Sequence, residues 1–310
     1  MPRLLVLLAA LAAAVPALAQ KPSPPPPVFA VETEAVNVTV TVRDAKGNLV
    51  TDLTRDDFEV LDEGKAQPIQ LFARAFDPGQ DETLALDLGM LLDTSESMLK
   101  ELKLSQEAAV RFLDTVPRAR ELYTIFFDEE IRLSRYDSEN QQGLFDRIHA
   151  AKGGGNTALY DAIAVYLSRV QDATGRKVLV IFSDGEDSRS SLNLDEVLRL
   201  IRSGSVSIYS IAFMGGFRPG SPSALKSRAF LQQVADMTGG QVYTPQGSGD
   251  LAGIYRKILE ELEAQYVLGF SSSGASDGKF HKLRVNVKRS GLKVRHRPGY
   301  SRINPDPESK

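Results

Sequence analysis

With 310 residues, 42% of them hydrophobic and 25% charged, the chain has an ordinary globular composition and the length for one large domain plus a smaller one. Lys+Arg number 37 against Asp+Glu 40, giving a net charge of −3 with no extended basic block, which excludes the electrostatic footprint of a nucleic-acid binder. Cysteine is absent, so disulfides and a lipid anchor on a cysteine are excluded, and core burial must stabilise the fold.

Arg3, the run Leu4 to Leu8, an alanine-rich stretch, Pro16 and Ala17-Leu18-Ala19 read as a secretory signal peptide over residues 1–19, cleaved before Gln20. An uncleaved anchor is the alternative, but Pro16 cuts the apolar stretch short of the roughly 20 residues a membrane span needs. The mature chain is therefore expected to be secreted or periplasmic, with no transmembrane segment. Residues 20–27, including KPSPPPP, form a stiff polyproline spacer.

Residues 28–78 read as a β segment. Val36 to Val42 alternates valine with polar residues, the pattern of a half-buried strand, and Asp44 to Asn48 turns the chain. Phe58-Glu59-Val60 and Ile69-Gln70-Leu71 are further strands, separated by the Asp62-Glu63-Gly64 turn. Asn37-Val38-Thr39 matches a glycosylation sequon but lies in mid-strand, where chance explains it.

From 84 to 263 strands alternate with helices, the succession of a doubly wound, mostly parallel α/β sheet. Leu88 to Leu92 is a buried strand, and Leu99 to Val116 a helix with Leu102, Ala109, Phe112, Leu113 and Val116 inward. Leu122 to Phe127 is a strand, Arg132 to Tyr136 an antiparallel edge and Gly143 to Ala151 a short helix. An amphipathic segment covers Ala158 to Val170, a strand Val178 to Phe182 and a helix Leu194 to Ile201. Val206 to Phe213 and Val242-Tyr243 are strands around a helix from Phe230 to Met237, and Leu251 to Leu262 is the closing helix. Residues 264–300 return to β pattern, with Tyr266 to Phe270, Leu283 to Val287 after an Asp277-Gly278 turn, and Leu292 to Val294; 301–310 is a disordered tail. Each end carries too few apolar residues to fold alone, so the two are expected to pair as one immunoglobulin-like β-sandwich into which the α/β domain is inserted. Lys293, Arg295 and Arg297 read as a solvated strand face.

Three stretches carry the chemistry. The first buried strand ends in Asp93-Thr94-Ser95-Glu96-Ser97, where short oxygen-bearing side chains alternate. Taken alone, that loop either caps the next helix or gathers hard oxygens suited to Mg²⁺, Mn²⁺ or Ca²⁺. Gly153-Gly154-Gly155-Asn156-Thr157 is a glycine turn delivering a threonine, and the strand at Val178 ends in Ser183-Asp184-Gly185-Glu186-Asp187. Strand then D-x-S-x-S, glycine turn then Thr, strand then S-D-G-x-D resembles the metal-ion-dependent adhesion site of von Willebrand factor type A domains. That resemblance implies a divalent cation held through the hydroxyls of Ser95, Ser97 and Thr157. Asp93 and Asp184 would act directly or through water, and one place would stay open for a partner's carboxylate. Glu96 stands where glycine is common, at an outward-pointing position, and Glu186 and Asp187 read as turn residues. The flanking D-F-E-V-x-D-E-G (Asp57 to Gly64) and P-G-Y (Pro298 to Tyr300) are similar to a family of secreted bacterial proteins with von Willebrand factor A-related domains.

Enzyme chemistry finds no support. A haloacid dehalogenase-type phosphatase needs D-x-D after its first strand, and here the second aspartate is Ser95, which cannot serve as general acid. No G-x-x-x-x-G-K-[ST] or G-x-S-x-G motif occurs, and His149, His281 and His296 lack metal-ligand spacing. The expected role is a non-enzymatic, metal-dependent protein-binding or adhesion module that captures an Asp or Glu of a protein partner. A structural envelope component whose metal only ties loops is the other class left open.

Overall fold

The computed structural model describes residues 34–75, 85–116, 119–136, 141–171, 175–218, 220–272 and 279–301. The expected leader, the spacer, the Asp277-Gly278 turn and residues 302–310 lie outside them.

The valine alternation becomes β1 (Glu34–Arg43), with Val36, Val38, Val40 and Val42 buried. β2 (Phe58–Asp62), β3 (Lys65–Gln67) and β4 (Leu71–Arg74) follow. The strand expected at Ile69 begins instead at Leu71, with the Gln70 N–H just before it already donating to the Gly269 carbonyl at 2.7 Å. β3 is short and polar and leaves no periodic signal.

The middle of the chain runs β5 (Leu86–Asp93), α1 (Leu102–Thr115), β6 (Glu121–Phe127), β7 (Ile131–Tyr136), α2 (Gln141–Ala150) and α3 (Leu159–Arg169). It continues through β8 (Arg176–Ser183), α4 (Leu194–Ser203), β9 (Val206–Ala212), α5 (Pro222–Thr238), β10 (Val242–Tyr243) and α6 (Ser248–Ala264). α5 starts well before the expected Phe230. Ser221 caps it by accepting from the Ala224 N–H, Pro222 occupies its first turn, and Gly239 ends it at φ 73°. In sheet order these strands are β10-β9-β8-β5-β6-β7, all parallel except the edge strand β7. Strand order reverses between β5 and β8, so the loops leaving their carboxyl ends flank the crevice where such sheets bind ligands.

Period-2 alternation sends Leu88, Met90 and Leu92 to one face, with Phe112 of α1 and Tyr255, Ile258 and Leu262 of α6. Leu91, Leu179 and Ile181 go to the other, with α3, α4 and α5. Gly89 shares the second face, and a Cβ there would lie 2.2 Å from the Tyr166 ring. Tyr166 cannot yield, being fully buried with its hydroxyl donating to the Val178 carbonyl at 2.9 Å. Gly89→Ala is therefore expected to lower the unfolding free energy by about 3 kcal/mol by overpacking, read as a shift of the urea midpoint at unchanged slope.

The last strands are β11 (Tyr266–Ser272), β12 (Phe280–Val287), β13 (Lys293–Arg295) and β14 (Gly299–Ser301). β11 runs antiparallel between β1 and β4 in a sheet ordered β13-β1-β11-β4, while β12 pairs with β2 in a second sheet ordered β14-β12-β2-β3. Val38, Val40 and Leu268 from one sheet and Phe58, Val60, Leu283 and Val285 from the other share one apolar cluster.

A polar seam joins these strands to the α/β layers. Glu261 of α6, fully buried, accepts from Arg43 of β1 at 2.9 Å, from Arg295 of β13 and from the Tyr209 hydroxyl at 2.5 Å. Arg297 is buried and donates to the Asn37 carbonyl at 2.8 Å. The solvated face expected at Lys293, Arg295 and Arg297 is thus wrong for the two arginines. Arg295 meets α6 and Arg297 meets the chain just after α4, and a charge run does not reveal what lies opposite it.

Between them His296 donates from Nδ1 to the Arg297 carbonyl and accepts the Val285 N–H at Nε2, 3.1 Å away. Only the neutral ring can do both. Burial holds its pKa below the usual 6.5, helped by the nearby Arg297 charge and opposed by the bond to the Arg297 carbonyl. With the folded pKa depressed, the unfolded chain binds more protons, so stability is full above about 6.5 and falls as pH drops below it. Urea titrations across pH 5 to 8 on the parent and on His296→Gln, which keeps one donor and one acceptor, are expected to show that loss as the difference between the two, which cancels the groups that titrate in the opposite sense in the same range.

Candidate metal centre

β5 places Asp93 at its last residue, fully buried. One carboxylate oxygen accepts the Ser95 N–H at 3.0 Å and the Ser95 hydroxyl at 2.6 Å; the other accepts the Ser183 hydroxyl at 2.6 Å, from the end of the adjacent β8. A tight 3-10 turn over Glu96–Met98 brings the Ser97 hydroxyl to 3.1 Å from that of Ser95. Ser97 lies beside Asp184 and favours its ionised form, and the Asp184 carboxylate accepts the Glu186 N–H at 2.9 Å. Asp93, Ser95 and Ser97 therefore form one chain of hydrogen-bonded oxygens, with Asp184 beside Ser97 across the crevice. Glu96 points outward and is exposed. The turn delays α1 from the expected Leu99 to Leu102 and leaves Leu99 half exposed.

The glycine turn is tied onto this loop by two backbone bonds, Gly154 N–H to the Thr94 carbonyl at 2.8 Å and Glu96 N–H to the Gly155 carbonyl at 3.0 Å. Gly155 adopts φ 78°, open to glycine without strain. Thr157 follows two residues on. Its N–H donates to the Ser188 hydroxyl at 3.0 Å and its carbonyl accepts from the Ser188 and Arg189 N–H groups. The first N–H groups of α3, otherwise unsatisfied, are capped from the same loop by Asp187 on Tyr160 and Ser190 on Asp161. Asp187 is thus a turn and cap residue, as its sequence context suggested.

Electrostatics single out the carboxylates. Burial pushes Asp93 up to about 7 despite its hydrogen bonds from Ser183 and Ser95, and the neighbouring Asp184 pushes the same way. Asp184 is also raised, again by burial first. Among the described residues neither has an ion pair, so two adjacent carboxylates are held out of water with no positive charge. Thr157 is 2% exposed, yet its hydroxyl has no hydrogen-bond partner among the described residues. Two uncompensated carboxylates and the Ser95, Ser97 and Thr157 hydroxyls, the last engaged by no described residue, are a hard donor set fitting a divalent cation such as Mg²⁺, Mn²⁺ or Ca²⁺. No group of three or more His, Cys, Asp or Glu among the described residues is placed to hold a metal, so this centre depends on its hydroxyls.

The residue that sequence reasoning missed is Ser183. Its hydroxyl donates to Asp93 and accepts the Gly185 N–H at 2.9 Å, bracing the two carboxylate loops against each other. Thr94 braces from the other side, within hydrogen-bonding distance of Asp128 on the β6–β7 turn and Arg132 of β7.

No curated protein matches the chain. Among solved structures it is similar to a von Willebrand factor type A protein from Catenulispora acidiphila, at 12% identity and TM-score 0.48 over 89% of this chain and 76% of that one. The pilus adhesin SpaC from Lactobacillus rhamnosus GG gives 7% identity and TM-score 0.49 over 79% and 41%. The von Willebrand factor domain of the type V pili tip protein Mfa5 from Porphyromonas gingivalis gives 12% and 0.42 over 56% and 95%. All three TM-scores fall below 0.5, and the assignment rests instead on the family match. The von Willebrand factor type A domain family matches residues 87–257, more than half of the chain and spanning all three oxygen-bearing loops, and the protein belongs to that family.

Proposed function

We propose that the chain is a non-enzymatic, secreted or periplasmic protein-binding module that captures an Asp or Glu side chain of a protein partner at a divalent cation, Mg²⁺ or alternatively Mn²⁺ or Ca²⁺. The observation that carries this reading is the Asp93-Ser95-Ser97 oxygen chain, with Asp184 beside it and a Thr157 hydroxyl that no described residue engages. Ser95, Ser97 and Thr157 would hold the cation through neutral hydroxyls, with Asp93 and Asp184 behind them. When bound, the cation supplies a positive centre that its own ligands do not fully neutralise, and a carboxylate from outside completes it. Affinity beyond that contact comes from area buried around it.

A metal that merely ties loops together is less well supported, since backbone bonds from Gly154, Glu96 and Ser188 already do so. We also infer that 28–78 and 264–300 make one immunoglobulin-like sandwich carrying the inserted domain 84–263; the apolar cluster common to both antiparallel sheets supports it. No helix among the described residues is long and apolar enough to cross a membrane.

The test is isothermal titration of the purified chain with Mg²⁺, Mn²⁺ and Ca²⁺, with Ser95→Ala/Ser97→Ala as control. Saturable binding lost in the double variant is expected. Equal binding by the variant would move the site elsewhere.

A further inference from the structure

The β6–β7 turn supplies none of the side chains assigned to the metal, yet it ties together two of the loops that carry them. Asp128 makes both connections. Its backbone carbonyl accepts the Ala158 N–H at 2.8 Å, directly after Thr157, and its carboxylate lies 3.0 Å from the hydroxyl of Thr94, the residue between Asp93 and Ser95. Arg132 fixes that carboxylate. Its guanidinium forks onto both Asp128 oxygens and donates from Nη2 to the Thr94 hydroxyl at 3.1 Å. Arg132 lies in β7, paired in register with Phe126 of β6, so the fork is anchored to the sheet and not to a loop. Among the described residues its side chain bonds only Thr94, Asp128 and Glu130, and none of Asp93, Ser95, Ser97, Thr157 or Asp184.

A residue so placed acts on a bound cation in two ways, and they have opposite signs. As a positive charge bonded to the residue between Asp93 and Ser95, it opposes a divalent ion, so removing it would tighten binding. As an orienting group it holds the two loops at a fixed separation before the ion arrives, so removing it would weaken binding. The second effect is the larger. Arg132 is 37% exposed and its charge is already offset by Asp128 and Glu130, whereas groups that orient metal ligands are typically worth about 10–100-fold in affinity. Resting on the metal-centre reading above, we propose that Arg132 is a positioning residue: through Asp128 and Thr94 it sets the spacing between the D-x-S-x-S loop and Thr157. That spacing matters unequally to different ions, because Mg²⁺ demands near-ideal octahedral geometry and Ca²⁺ tolerates irregular coordination.

The experiment is calorimetric titration of the full chain with Mg²⁺ and with Ca²⁺, on the parent, Arg132→Met and Arg132→Lys, each checked for folding by circular dichroism. Arg132→Met is expected to weaken Mg²⁺ binding about tenfold and Ca²⁺ binding no more than about threefold. A general loss of stability does not produce that shift in selectivity. Arg132→Lys keeps the charge and leaves Asp128 paired, but one ammonium cannot fork onto both Asp128 oxygens and Thr94 together, so a smaller Mg²⁺ loss of the same kind is expected. The lysine variant carries the test if the methionine variant does not fold. Mg²⁺ bound by either folded variant as tightly as by the parent, or more tightly, would show that spacing does not depend on the fork. Equal losses for the two ions would assign Arg132 to the stability of the fold. Either result overturns the proposal and leaves the metal centre standing. A parent that binds neither ion would overturn the metal reading, and this inference with it.

Discussion

Replacing Arg295 with methionine is expected to lower the unfolding free energy by about 3 kcal/mol, or the melting temperature by roughly 6–10 °C. Glu261 has no exposure, and its carboxylate is shared among Arg43, Arg295 and the Tyr209 hydroxyl. Removing Arg295 leaves the fully buried carboxylate with Arg43 and the Tyr209 hydroxyl alone. Losing a partner of a buried ion typically costs 3–5 kcal/mol, and the lower end applies because the Arg295 side chain is 31% exposed and partly screened. Arg295 also donates to the Gln241 side chain at 2.5 Å, so the β9–β10 connection loosens too. Methionine preserves much of the stem's packing and isolates the charge. Adding Glu261→Gln should recover only part of the loss, because it removes the buried carboxylate but takes the ion-pair partner from Arg43. A single variant as stable as the parent would show the seam to be ornamental. The seam crosses from α6 to β1 and β13, so both parts should melt together in one calorimetric transition.

How far the sequence foretells this molecule depends on what kind of signal each part leaves. β1, β5, β8 and β9 are legible because burial on one or both faces imposes an alternating or continuous apolar run, and each run stops where polar residues begin. The three oxygen-bearing loops are legible for the same reason, lying directly beyond strands or in a glycine turn. The start of α5 was written in Ser221-Pro222 but masked by a first half without strong periodicity. β3 and β14, three residues each, are set by their neighbours and not by pattern. Arg295 and Arg297 illustrate a deeper limit: a basic cluster looks alike whether it meets water or a buried glutamate from residue 261. Ser183 is similar, since a serine before Asp-Gly reads as a turn until the adjacent strand brings Asp93 to 2.6 Å.

Thr157→Val is expected to weaken Mg²⁺ binding at least tenfold without destabilising the metal-free protein. Valine matches threonine in shape, and the position is buried, so the packing survives. Ordinarily that exchange costs stability by deleting a hydrogen bond, but the Thr157 hydroxyl has no protein partner among the described residues to lose. Its backbone bonds to Ser188 and Arg189 are untouched. The metal-free melting temperature should therefore stay level, since no protein hydrogen bond is lost. Metal-induced stabilisation follows from binding to the folded state alone, about 2.7 kcal/mol at a hundred dissociation constants of free ion. A tenfold weaker site loses about 1.4 kcal/mol of that at the same concentration. Scanning calorimetry with and without Mg²⁺ thus separates the two roles a buried threonine can play. A melting temperature lowered without metal would assign the hydroxyl to the fold. An unchanged metal-induced shift would remove Thr157 from the ligand set and leave Asp93, Ser95, Ser97 and Asp184 to account for the centre.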